Sequence, residues 1–104
     1  MTDEVEKIIE SITFPIALPE EAFTVAGKPR RLPDFEIIIN QLPAELLPYL
    51  DLEATVLHSG RGGQSTFLVT LIDNSYLRIR IQNRSIVDIA KTHLRVGGVR
   101  SGNT

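Results

Sequence analysis

Ser65–Gln82 reads STFLVTLIDNSYLRIRIQ. Phe67, Val69 and Leu71 recur at every second position, and so do Leu77, Ile79 and Ile81. A period of two is that of a β-strand, whose successive side chains point to opposite faces. Between the runs stands Asp73-Asn74-Ser75, residue types whose side chains bond the local backbone and favour turns. The stretch is a β-hairpin with one apolar face. Register decides which side chains share that face. A two-residue loop at Asn74-Ser75 sets Val69 against Arg80. A three-residue loop at Asp73–Ser75 instead pairs Leu71 with Leu77, Val69 with Ile79 and Phe67 with Ile81. The longer loop is preferred because it keeps the apolar face uniform, although Ser75 is a poor left-handed residue for its last position. The other face then carries Thr66, Leu68, Thr70 and Ile72 against Gln82, Arg80, Arg78 and Tyr76.

Upstream of the hairpin, Val5, Ile8, Ile9 and Ile12 follow i, i+3, i+4, i+7 spacing and predict a helix over residues 2–13 capped by Thr2. Phe14-Pro15 closes it. Residues 15–34 hold four prolines and read as irregular, with Lys28-Pro29-Arg30-Arg31 in a basic surface loop. Residues 35–40 read as a strand, because Ile37, Ile38 and Ile39 are apolar on both faces. Pro43 opens a short helix over 44–50, and residues 52–58 form a further strand. Downstream, Ile86, Ile89, Ala90, His93 and Leu94 have helical spacing, Ser85 and Asp88 resemble a capping box, and Gly97-Gly98 is a stop signal. The spacing predicts a helix over 86–94. A strand at 86–90 is the competing reading.

The expected architecture is one α+β domain over residues 1–104. It has an N-terminal helix, a C-terminal helix and an antiparallel sheet of three to four strands drawn from 35–40, 52–58, 65–72 and 76–82. The alternative is a small five-stranded β-barrel with an N-terminal helix. Residues 97–104 read as a flexible tail.

The chain has 104 residues, 42% of them hydrophobic, which suffices for one core. No apolar run reaches the roughly 20 residues of a membrane span, and the acidic start MTDEVEKIIES lacks the features of a signal peptide. There is no cysteine, hence no disulfide and no thiolate site. A cytoplasmic protein is expected. The net charge of −2 conceals a split: residues 1–58 carry eleven acidic and four basic side chains, residues 59–104 two acidic and seven basic. Self-association, an anionic partner or simple intramolecular compensation would each account for it.

Catalytic and metal chemistry find little support. His58 and His93 sit on separate elements, and a metal site would need carboxylates such as Asp51, Glu53 or Asp88 beside them. Gly63-Gln64-Ser65-Thr66-Phe67 lacks the last glycine of a nucleophile elbow and precedes a strand. Asp51 and Glu53 pair on one strand face but read as a solvated strand start. Gly60-Arg61-Gly62-Gly63 has anion-binding residue types without the helix that phosphate loops feed. No catalytic residue, cofactor or metal is assigned.

Two surfaces remain as interaction sites. Arg61, Tyr76, Arg78, Arg80 and Arg84, with Lys91 and Arg95 nearby, make a basic face suited to phosphate or to an acidic partner. Ile37, Ile38 and Ile39, if at a sheet edge, would invite pairing with another chain. The expected function is a non-catalytic protein-interaction module, an accessory or regulatory protein that binds a protein partner or itself as a homo-oligomer. A nucleic-acid-binding protein using the basic face is the second reading. A small enzyme or enzyme subunit with a site assembled from distant residues is the third.

Overall fold

A computed structural model describes residues 3–29 and 33–93. The chain is mixed helix and sheet. Helix α1 spans Glu4–Glu10, strand β1 Ile16–Ala17, and a 3₁₀ turn Glu20–Ala22. A small hairpin of β2 (Thr24–Val25) and β3 (Lys28–Pro29) precedes α2 (Phe35–Asn40) and a second 3₁₀ helix, Ala44–Tyr49. Strands β4 (Leu57–Arg61), β5 (Gln64–Thr70), β6 (Tyr76–Gln82) and β7 (Ser85–Thr92) follow. They form an antiparallel meander, and β1 adds to β7, giving the order β1-β7-β6-β5-β4. The sheet therefore has five strands rather than three or four. Its edge strands β1 and β4 do not pair with each other, so the alternative of a closed barrel does not hold.

The central hairpin is present with its faces as read. Val69 lies opposite Leu77 and Phe67 opposite Ile79, two residues along β6 from the expected register, a shift that keeps the same side chains on each face. The Leu71 N–H donates to the Ser75 carbonyl at 2.8 Å, which leaves a three-residue loop at Ile72-Asp73-Asn74. The left-handed residue is Asn74, at φ +71°. Asparagine tolerates that conformation far better than serine, which moves the loop back by one residue.

The predicted strand over 35–40 is helix α2, so Ile37, Ile38 and Ile39 do not form a strand edge. Asp34 decides this locally: its Oδ1 accepts from the N–H groups of Glu36 (3.0 Å) and Ile37 (3.4 Å), a helix N-cap. Phe35, Ile38, Ile39 and Leu42 then stand at i, i+3, i+4 and i+7. Ile38, Ile39 and Leu42 are buried, and Phe35 packs against them. The predicted strand over 52–58 starts only at Leu57. The Asp51 Oδ1 accepts from the Glu53 N–H (3.2 Å) and turns the chain there. In α1 the cap is Asp3, which accepts from Val5 and Glu6; Thr2 lies outside the described residues. So do Arg30, Arg31, Arg95 and the tail 97–104.

The predicted C-terminal helix is strand β7, and a β-bulge explains the misleading spacing. Ile86 faces Ile81 and Asp88 faces Arg80, so Val87 is an extra residue without a counterpart on β6. The bulge adds one residue between Ile86 and Ile89, and both stay on the buried side at helical spacing. Deleting Val87 should leave Ile86, Asp88, Ile89, Ala90 and Lys91 in strict alternation. We expect that deletion to keep the fold at a cost below about 2 kcal/mol. Deleting Ala90 instead puts Lys91 on the wrong face and should cost distinctly more. Urea melts followed by circular dichroism compare the two.

One sheet face is covered by α1, α2 and the 3₁₀ helices. Phe67, Val69, Leu77, Ile79, Ile81, Ile86 and Ile89 pack there with Val5, Ile38, Ile39, Leu42 and Leu46. Lys91 shares this face near its rim, where its stem is buried and its ammonium bonds Asp3 and, at 3.0 Å, Asp73. This clasp ties α1, β7 and the β5–β6 loop together. Hydrogen bonds from the Ser75 hydroxyl and N–H, then from Lys91, hold the Asp73 carboxyl well below the usual range. The Lys91 bond lowers Asp3, and the two carboxylates raise Lys91.

Candidate functional site: the open sheet face

The other sheet face carries no helix among the described residues. The register places Arg78 between Leu68 of β5 and Ala90 of β7, and Arg80 between Thr66 and Asp88. Arg78 Nη2 donates to Asp88 Oδ2 at 3.3 Å. With the Gln64 amide oxygen turned toward it, Arg80 donates to Gln64 from Nη2 at 2.9 Å and from Nε at 3.2 Å. The two guanidiniums thus lean apart, one toward β7 and one toward β5. Between them and the edge strand β4 lies a groove of about 310 Å³ lined by Leu57, His58, Ser59, Thr66, Leu68, Arg78 and Arg80. Leu68 is only 6% exposed although it sits on the uncovered face. Its cross-strand neighbours Leu57 and Arg78 flank it, the arginine with its aliphatic stem. Ile72, expected on this face opposite Tyr76, is instead in the loop and exposed.

Arg78 Nε, on a residue lining this groove, is buried without a hydrogen-bond partner; His58 Nε2 is unpartnered too, but the His58 ring lies with Phe67 on the covered side of the sheet. An unsatisfied buried donor is costly, and the cost is removed by whatever supplies an acceptor. Chemically the groove offers apolar surface beside guanidinium and hydroxyl donors, a combination suited to an acid on an otherwise apolar segment.

The five residues of the predicted basic face do not form one patch. Tyr76, Arg78 and Arg80 share the open face, Tyr76 at its far end between Thr70 and Thr92. Arg61 and Arg84 lie at hairpin tips and line a separate hollow of about 530 Å³ that also includes Phe23, Pro33 and Gly60–Ser65. The Arg84 guanidinium stands 5.6 Å from the centroid of Phe23, a cation–π contact. Gly62 and Gly63, at φ +56° and +84°, make the two-residue turn between Arg61 and Gln64. That geometry requires φ above zero at both positions and accounts for the glycines without a bound anion. Lys91, expected among the basic neighbours, is on the opposite face in the clasp.

His58 stacks against Phe67 with centroids 4.8 Å apart. His93 follows β7, three strand spacings from β4, a separation of about 14 Å that no single ion bridges. Among the described residues no group of three or more His, Asp or Glu side chains is placed to hold a metal. Ser65 stands on the covered face opposite Ile81, and the unpartnered Nε2 makes no hydrogen bond to it. The Asp51–Glu53 pairing is lost with the strand that was to carry it. Among the described residues no helix is long and apolar enough to cross a membrane. The groove itself was not legible in the sequence, because it depends on Leu57 of β4 lying next to Leu68. No protein family matches the chain, and no curated protein or solved structure matches it.

Proposed function

We propose that this protein is a non-catalytic interaction module that receives an acidic segment of a protein partner on the open face of its sheet. One observation carries the reading: Arg78 and Arg80 border a groove whose apolar wall is Leu57 and Leu68. A carboxylate on the partner meets the part-exposed guanidiniums, and the partner's apolar side chains meet Leu57 and Leu68. Nucleic acid is the second reading, favoured by Tyr76 on the same face as the two arginines. The groove wall opposes it: Leu57 and Leu68 suit the apolar side chains of a peptide and offer nothing to a phosphate backbone.

The test uses a short peptide of alternating glutamate and leucine beside a single-stranded oligonucleotide of equal charge, both read by fluorescence anisotropy. The peptide is expected to bind more tightly, and Arg78→Glu/Arg80→Glu should weaken it at least about tenfold. Preference for the oligonucleotide, with affinity falling steeply with salt, would move nucleic acid to the front. Binding of neither probe overturns the assignment of this face.

A further inference from the structure

The charge split in the sequence becomes a spatial split in the fold. Seven of the glutamates sit on α1, α2 and the two 3₁₀ helices, the elements that cover one side of the sheet. All are exposed, and none forms an ion pair among the described residues. The arginines of the uncovered face look the other way. Among the described residues Lys91 with Asp3 is the one close ion pair joining the acidic and basic halves of the chain, and both lie at the rim of the sheet. Each molecule therefore presents an acidic surface on its helical side and a cationic groove on its sheet side.

We infer that the acidic partner of the open face is a second copy of this chain, docked head to tail with its helical side on the arginines. The inference rests on the interaction-module reading above. Twofold pairing is disfavoured, because an isologous contact sets each patch against itself: arginines would meet arginines, or glutamates glutamates. A heterologous contact joins unlike surfaces and leaves one of each free, so it propagates into a ring or a filament. Glu10 of α1 and Glu45 of the second 3₁₀ helix lie on elements that pack together and form the natural contact for Arg78 and Arg80.

Sedimentation of the full chain tests this. At low ionic strength the average mass should rise with concentration above 11.6 kDa. It should return to that value at about 0.5 M NaCl, where charges are screened beyond a few Å. Two charge-reversed variants, Arg78→Glu/Arg80→Glu and Glu10→Lys/Glu45→Lys, should each be monomeric. Mixed together they should associate again, because the acidic helical side of one meets the arginines of the other and the two reversed surfaces are complementary in turn. If the arginine reversal does not fold, Arg78→Gln/Arg80→Gln keeps the stems over Leu68 and serves in its place. A wild-type dimer that neither variant disrupts, or variants that fail to complement, overturns the head-to-tail arrangement. A strictly monomeric wild type that still binds the glutamate–leucine peptide overturns self-assembly and leaves the module reading intact; loss of both removes both.

Discussion

Ile79→Ala should lower the unfolding free energy by about 3–4 kcal/mol, the cost of deleting three buried carbons and leaving a cavity that a sheet relaxes around poorly. Ile79 is fully buried at the middle of β6, the central strand, with Phe67 opposite on one side and Ile89 on the other. A chain of this length is stable by only about 5–15 kcal/mol, so the variant should stand close to unfolding at body temperature. Leu52, 52% exposed in a turn, supplies the control. Leu52→Ala should change stability by no more than about 0.5 kcal/mol. Urea titrations of both variants and the wild type check the pair. A loss below about 1 kcal/mol at Ile79 would mean that β6 is not the centre of the core.

The second large effect is expected at Lys91. Lys91→Met retains the buried stem but leaves Asp3 and Asp73 without the cation that joins them, so the melting temperature at pH 7 should fall by several degrees. The pH dependence gives the mechanism. Asp3 and Asp73 are lowered in the folded state, so their contribution is present above the ordinary carboxylate value of 3.8 and disappears as pH falls through their lower folded values. Lys91 is raised, so its contribution is complete below 10.5 and disappears as pH rises through its higher folded value. The contribution of the clasp should be flat between these limits. The gap between wild type and Lys91→Met should narrow below pH 3.8, where protonation removes the facing charges. A gap that stays constant down to acid pH would show that the lysine acts through packing alone.

These effects also indicate which parts of the fold were legible in the sequence. The β5–β6 hairpin was, because a two-residue period has a direct geometric meaning and shifting the loop by one residue preserves which side chains face the core. Helix α1 was legible from its apolar stripe. Helix α2 had its own signal in Phe35, Ile38, Ile39 and Leu42, capped by Asp34, but three consecutive isoleucines masked it with strand propensity. Strand β7 carried a false signal, because a bulge at Val87 gives a strand the spacing of a helix. Arg78 and Arg80 were placed on one face correctly. That Arg61 and Arg84 belong to hairpin tips follows only from where the turns fall.

The local alternation of side chains, the turn residues and the charge split between the two halves of the chain were all determined by the sequence itself, since each depends on neighbours within a few residues or on composition. Three things were decided only by tertiary structure: the strand order β1-β7-β6-β5-β4, the Asp3–Lys91–Asp73 clasp, and the groove between Leu57, Leu68 and the arginines. Each joins residues far apart in the chain or on different strands. Such contacts arise from one shared requirement, that α1, α2 and the sheet bury a common apolar face, and no local pattern encodes which strand edges that burial will bring together.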